Sequence, residues 1–400
     1  MTSQWTVRRV PHPDAPDLAE LVGDDVTFRR DVVFRGPLVS RVADLARFSD
    51  VEVLWDDLLR RGTRQPAFRV VRVGHTIAQR DVTRRAGIGN RDLDDLVSPN
   101  AVIDRYRCGD TVVLQGLHHT NPHLAKLANN IALALDHPVQ VNAYLSPPSA
   151  RGLDLHFDFH DVFIVQLAGS KRWRVWSPLP RTIAPVKGRH QIAAPRLDEL
   201  GDPLLNFTMS AGDCLYMPRG HPHAAETVDD HSSHLTIGVV AVTWQRVLRK
   251  AIDAEVAAGR LTGALPIGLL DPATAAPSEF ADLAAVPPLT PDILRHWLAR
   301  EVWRRQPSTR LRPRHAPPLS SRRLAFAPGP LLWLTTIGDR AVLGLGERLL
   351  DMPLEALTFL SNLLDAEEPI AIAQLKGLDD ESRAVVLTRL LAEGTLVHVD

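Results

Sequence analysis

The sequence predicts an α+β protein built on a double-stranded β-helix, or jelly roll, with helical and mixed segments on either side of it. Three observations carry this. Between Thr111 and Val242, short runs rich in β-branched and aromatic residues alternate with Gly, Pro and Ser, the pattern of a two-sheet sandwich or small barrel. His156-Phe157-Asp158 places an imidazole and a carboxylate two residues apart. The run from Gly212 to His223 then returns another imidazole on a Gly/Pro-rich turn, 65 positions after Asp158.

At 400 residues the chain exceeds one ordinary core, and it divides into four segments. Residues 1–100 read as a helical collar in front of the barrel. There Val32-Val33-Phe34 leads to Pro37, followed by an amphipathic helical run from Leu38 to Phe48 and a second helix from Asp50 to Arg61. Residues 101–245 form the barrel. Thr111 to Leu114 is a strand and Pro122 to Ala134 a helix. Further strands are expected at Val139 to Tyr144, Asp161 to Ala168, Lys171 to Trp176, Ile192-Ala193, Asp213 to Met217 and Leu235 to Val242. Residues 246–330 are helical to about Arg305. Between Arg295 and Arg323 this segment carries nine arginines against the single acid Glu301, a solvated face plus linker or a site for an anionic partner. Residues 331–400 read as an acidic, winged-helix-like domain: a strand from Leu331 to Thr336, helices at Pro353 to Asp365 and Ser382 to Glu393, and a terminal hairpin ending in Thr395 to Val399.

Composition narrows the function classes. The net charge is -1, which gives no bulk attraction to nucleic acid or membrane. Leu331 to Asp400 holds twelve acids against five Arg/Lys, so duplex DNA binding by that module is not expected. No apolar run approaches the roughly 20 residues that cross a bilayer, and Met1-Thr2-Ser3-Gln4-Trp5 lacks a signal-peptide pattern. A cytoplasmic protein is expected. Two cysteines, Cys108 and Cys214, make no disulfide framework, and Cys214 reads as a small buried hydrophobe.

On a strand, residues i and i+2 share a face, so His156 and Asp158 can grip one ion. Gly212, Pro218, Gly220 and His223 match the cupin motif G-x5-P-x-G-x2-H, whose turn aims the last histidine into the barrel. His223 is therefore the third ligand, with His221 as the fallback. Two histidines and a carboxylate leave half an octahedron open, the arrangement of non-haem iron(II) oxygenases. His160, two residues past Asp158, reads as a neighbour of the site or a surface group. Lys171 follows the turn Gly169-Ser170. If the flanking strands pair as a hairpin, Lys171 returns to the metal end, where a buried ammonium needs an anion such as the distal carboxylate of 2-oxoglutarate; otherwise it is an exposed hairpin lysine. Asn142 and Tyr144 share a strand face and either join that pocket or pack at an edge.

These residues carry a family likeness. Asn142 to Pro148, His156 to Asp158, Val162 to Val175, Leu215 to Gly220 with His223, and His234 to Ile237 follow one another in the order seen in the JmjC-class ribosomal oxygenases. The motif-level resemblance covers about residues 100 to 245. It implies a JmjC-like core and iron(II) ligands at His156, Asp158 and His223. It implies 2-oxoglutarate bound at Lys171, with Asn142 and Tyr144 close by. It also implies hydroxylation of an arginine or histidine in a ribosomal protein, and a homodimer formed through the helical segment. One departure is Gly238, where eukaryotic members have Ser after the His-Leu-Thr-aliphatic run, which removes a hydroxyl near the co-substrate. The surroundings of Phe157 and Phe159 also differ from the more acidic versions. Beside this reading stand an oxygenase of a peptide or small metabolite, a cupin with another metal and a non-oxidative reaction, and a non-catalytic interaction protein that kept the barrel.

Overall fold

Strands that alternate apolar and polar residues need two layers to cover them. The computed structural model, which describes residues 5–150, 153–180, 195–259, 291–307, 323–329 and 331–399, shows how this chain supplies both. In chain order the strands are β1 (Thr6–Arg8), β2 (Leu38–Arg41), β3 (Phe68–Arg72), β4 (His75–Thr76), β5 (Thr83–Ile88), β6 (Arg91–Val97), β7 (Thr111–Leu114), β8 (Val139–Ser146), β9 (Asp161–Val175), β10 (Leu205–Ser210), β11 (Asp213–Met217), β12 (His223–Val239), β13 (Arg323–Phe326), β14 (Leu332–Ile337), β15 (Arg340–Leu345), β16 (Arg348–Pro353), β17 (Ile370–Ala371) and β18 (Leu396–Val399). The main helices are α1 (Leu18–Val22), α2 (Val51–Leu59), α3 (Pro99–Arg107), α4 (Pro122–Leu135), α5 (Trp244–Ala257), α6 (Pro291–Trp303), α7 (Leu357–Asp365) and α8 (Asp380–Ala392).

The barrel is one bent sheet in the order β2-β11-β9-β12-β8-β7-β3-β4, with β10 also paired to β9. β9 and β12 run antiparallel along their length, and their register breaks between Thr227 and Ser232. Val162 and Ile164 share a small core with Trp173, Val175 and Met209. A straight strand would hold Ile164 and Trp173 about 30 Å apart at roughly 3.3 Å per residue, so β9 doubles over and supplies both layers of the sandwich. The alternate residues Phe163 and Val165 face the other way, into the larger core with Leu124, Leu127 and Ile131 of α4. That helix starts as its sequence dictates: Asn121 accepts from the amides of His123 and Leu124, and Pro122 occupies the first turn.

The structure corrects three expectations and moves one outside the described residues. The run from Leu38 to Phe48 is not a helix: Leu38 to Arg41 is β2, paired with β11 from Leu38↔Tyr216 to Arg41↔Asp213. Asp161 to Trp176 is not a hairpin, because Gly169 and Ser170 lie inside continuous β9. Gly169 has φ +64°, and a Cβ there would sit 1.7 Å from the His231 carbonyl oxygen, so the glycine bends the strand against β12 without reversing it. The chain end is not a hairpin either: β18 and β17 both pair with β13. Ile192-Ala193 lies outside the described residues.

A second core joins β13 to β15 with α7 and α8. Its main sheet, β1-β14-β15-β16, takes its first strand from the other end of the chain, and Trp5 stacks on Trp333 at 5.1 Å. Cys214 is fully buried, with its thiol pushed up to about 12 by desolvation, as expected of an inert core residue. Among the described residues no helix is long and apolar enough to cross a membrane.

Candidate metal centre

His156 and His223 form an isolated antiparallel bridge, with amide-to-carbonyl bonds of 3.2 and 2.8 Å in the two directions. Asp158 is held two residues on, where its carbonyl accepts from Gly220 at 2.9 Å. This backbone exchange, rather than a regular strand, brings the three side chains together. One ligand atom of each lies within 4.8 Å of the others, and His223 Nε2 stands 3.8 Å from Asp158 Oδ2. His156 Nδ1 bonds the Asp154 carbonyl at 2.7 Å and His223 Nδ1 that of His221 at 3.0 Å. An Nδ1–H donated to a carbonyl leaves Nε2 with its lone pair outward, the tautomer that ligates metal. Burial, then the neighbouring His156, lowers the pKa of His223 to about 3, with Asp158 opposing, so this imidazole is neutral.

A cavity opens beside the triad, lined among others by Tyr144, Lys171, Trp173, His234 and Thr236. Lys171 is buried and donates from Nζ to Ser146 Oγ at 3.1 Å, an oxygen that also accepts from Thr111. It has no carboxylate partner among the described residues, and burial lowers its pKa to about 8. Tyr144 stacks on His234 at 4.9 Å, and burial raises its phenol. His234 is lowered well below its usual value by burial and then by Lys171. The buried atoms His234 Nδ1, Trp173 Nε1 and Thr227 Oγ1 have no hydrogen-bond partner among the described residues. A cavity lined by an uncompensated cation and by the unmet His234 and Trp173 ring nitrogens is shaped for a polar, anionic ligand. The two-histidine, one-carboxylate set beside it fits a divalent first-row metal that keeps open positions.

Of the residues singled out from sequence, His156, Asp158, His223, Lys171 and Tyr144 meet at this cavity. Asn142 does not line it; its Oδ1 accepts from the Gly116 amide at 2.9 Å and secures the turn before α4. His221 bonds the Pro218 carbonyl and stays out of the ligand group. His160 contacts Gln140 at 3.3 Å and fills the space over Gly238. Arg304 and Arg305 of the basic stretch pair with buried Glu301 at 3.4 and 3.0 Å, joined there by Arg246 and Lys250; residues 308–322 lie outside the described residues. The sequence reading did not single out His234 and Ser146 as site residues. Their signal was polar residues alternating with apolar Leu235, Ile237 and Leu145 on strands that pair in the barrel.

The bent sandwich with its triad defines a JmjC-type barrel, and residues 117–247 match the JmjC domain family. The chain is 34% identical over 158 residues to the "Bifunctional lysine-specific demethylase and histidyl-hydroxylase NO66" of Dictyostelium discoideum, covering 39% of this chain and 30% of that protein. It is 39% identical over 115 residues to "Ribosomal oxygenase 1" of Gallus gallus, covering 28% and 19%. The chain thus spans less than a third of the length of these curated relatives. The crystal structure of the ribosomal oxygenase YcfD from Escherichia coli matches over 99% of both chains at 17% identity with a TM-score of 0.54. The same protein in complex with cobalt and 2-oxoglutarate matches at a TM-score of 0.53, over 93% of this chain and 97% of that one. At such identity these structures establish the fold. The sequence matches lie across the barrel, whose residues 117–247 carry the JmjC domain.

Proposed function

We propose that the chain is an iron(II)- and 2-oxoglutarate-dependent oxygenase that hydroxylates an arginine or histidine side chain of a protein, with a ribosomal protein as the favoured substrate. The observation that carries this is Lys171, a buried ammonium without a counter-ion, in the same cavity as the triad. His156, Asp158 and His223 hold the metal. Lys171, with Ser146 behind it, neutralises the distal carboxylate of the co-substrate. Tyr144, His234 and Trp173 wall that carboxylate off from water, which strengthens its pairing with the lysine. When bound, iron(II) and 2-oxoglutarate supply oxidative decarboxylation coupled to hydroxylation of a C–H bond. The protein side chain as substrate rests on the names of the barrel's relatives.

The segments after the barrel support two further parts of this reading. α5 carries Trp244, Leu248, Ile252 and Val256 exposed at 70, 37, 49 and 45%, every fourth residue, so one side of the helix is an apolar stripe suited to a homodimer. The order α7, β17, α8, β18 supports a winged-helix-like end domain. The division at about residues 100, 245 and 330, and a cytoplasmic location, belong to the same reading.

The test is succinate formation by the iron(II)-loaded chain with 2-oxoglutarate. Wild type is expected to turn over, His156→Ala to lose turnover entirely, and Lys171→Ala to weaken it. A wild type that neither turns over nor binds 2-oxoglutarate overturns the reading. Mass spectrometry of ribosomal proteins incubated with active enzyme, seeking a gain of one oxygen, then tests the substrate.

A further inference from the structure

β16 is the outermost strand of the β1-β14-β15-β16 sheet, so one of its backbone edges has no strand partner among the described residues. Successive strand side chains point to opposite faces, and a cavity on one face would touch every second residue. The groove between β16 and α8 touches the consecutive residues from Leu349 to Pro353; it therefore runs along the open edge. Its far wall is α8, which contributes Val385 at 66% exposure. The groove holds about 730 Å3, room for several side chains. An open edge beside apolar pockets is the setting in which an extended peptide adds itself as a further strand.

Charge selects the peptide. Asp351 is paired with Arg340 at 2.7 Å and Arg389 with Glu393 at 2.8 Å. Glu355 and Glu381, both exposed on the groove, have no ion-pair partner among the described residues. The groove is negative within a segment, Leu331 to Asp400, that carries twelve acids against five Arg/Lys. The geometry points to this groove as the docking site for an extended basic segment of a partner protein, with aliphatic residues alternating with Lys or Arg. The segment's main chain pairs with β16, its aliphatic side chains enter beside Leu349 and Val385, and its cations meet Glu355 and Glu381. None of this depends on the oxygenase reading, and the site is remote in sequence from every residue of the metal centre.

The probe is a fluorescein-labelled peptide of alternating lysine and valine, with a glutamate–valine peptide as its control, titrated against the full chain by fluorescence polarisation. The lysine–valine peptide should bind, more weakly as salt rises, and the control should not. Glu355→Lys/Glu381→Lys and Val385→Lys, all at exposed positions, should each weaken binding at least about tenfold with an unchanged melting temperature. Hydrogen exchange should slow at those amides of residues 349–352 that face away from β15. Equal affinity for both peptides, unchanged affinity in the double reversal, or protection elsewhere would overturn the proposal. So would a change in the chain's solution mass on Val385→Lys, which would show a second copy filling the groove.

Discussion

Burying an ammonium without a counter-ion destabilises a fold, and Lys171 does so inside the barrel. Its pKa falls from 10.5 to about 8, a difference of roughly 3 kcal/mol against the charged form. Between those two values the unfolded chain holds the proton and the folded chain has released it, so this residue's penalty shrinks as pH rises from about 8 towards 10.5. We expect Lys171→Met to raise the melting temperature of the ligand-free protein at neutral pH while losing the stabilisation that added 2-oxoglutarate gives the wild type. A lower melting temperature would mean that the lysine serves the fold. Because only the protonated lysine pairs with a carboxylate, kcat/KM for 2-oxoglutarate should fall as pH rises through about 8; a pH–rate profile flat across that value would remove Lys171 from the anchor. Gly238 poses the opposite problem, a missing side chain. A Cβ there would lie 2.6 Å from His160 Cδ2 and 3.0 Å from Gln140 Cγ, so the space a side chain would need is occupied by an imidazole. Gly238→Ser should cost about 1–2 kcal/mol by overpacking. Adding His160→Ala should recover most of it, and purely additive losses in chemical denaturation would refute this coupling.

At the scale of elements the bend of β9 positions the site, since it carries Val162 and Ile164 on one arm and Lys171 and Trp173 on the other. Gly169 sits at that bend with φ +64° and the His231 carbonyl where a Cβ would go. Gly169→Ala is expected to cost about 3 kcal/mol or more in urea unfolding, and a loss below about 1 kcal/mol would show that the bend relaxes easily. The same residue explains what the sequence could not convey. Gly-Ser between two apolar runs signals a break in a strand, and a reversal and a bend carry the same local signal; here the neighbouring β12 decides. In Leu38 to Phe48 the spacing of Leu38, Val42 and Leu45 imitates a helix, while pairing with distant β11 makes its first residues a strand. Elements whose determinants are local were legible. Thr111 to Leu114 and Asp213 to Met217 are short apolar runs with polar ends, and α4 announces itself with Asn-Pro. In the site, His156, Asp158 and His223 could be grouped from spacing and turn chemistry, whereas Lys171 reaches the cavity through the bend of continuous β9 and not through the hairpin the sequence suggested. His234 and Ser146 were not legible, and Asn142 was wrongly drawn to the site, because each role depends on a cross-strand or loop neighbour that sequence spacing does not reveal.

At the scale of the molecule, α5 is a helix with two partners' worth of surface. One side is tied down: Arg246 and Lys250 reach Glu301 of α6, whose Ala299, Val302 and Trp303 join the main core. The opposite side carries the stripe of Trp244, Leu248, Ile252 and Val256. A solvated helix keeps polar residues on its outer side, so a stripe repeated over four turns is better explained by a second surface than by water. The chain's net charge of -1 offers little repulsion between copies, and a twofold arrangement would bury the same stripe on both. Light scattering coupled to size exclusion should therefore give twice the single-chain mass of 44.2 kDa. Leu248→Asp/Ile252→Asp should shift it to the single-chain value with the far-UV signal retained, because neither side chain belongs to the buried core. If the wild type elutes as a single chain at micromolar concentration, the stripe does not hold two copies together; if the double variant remains a dimer, the interface lies elsewhere and the ion cluster around Glu301 serves only to fix α5 on the barrel.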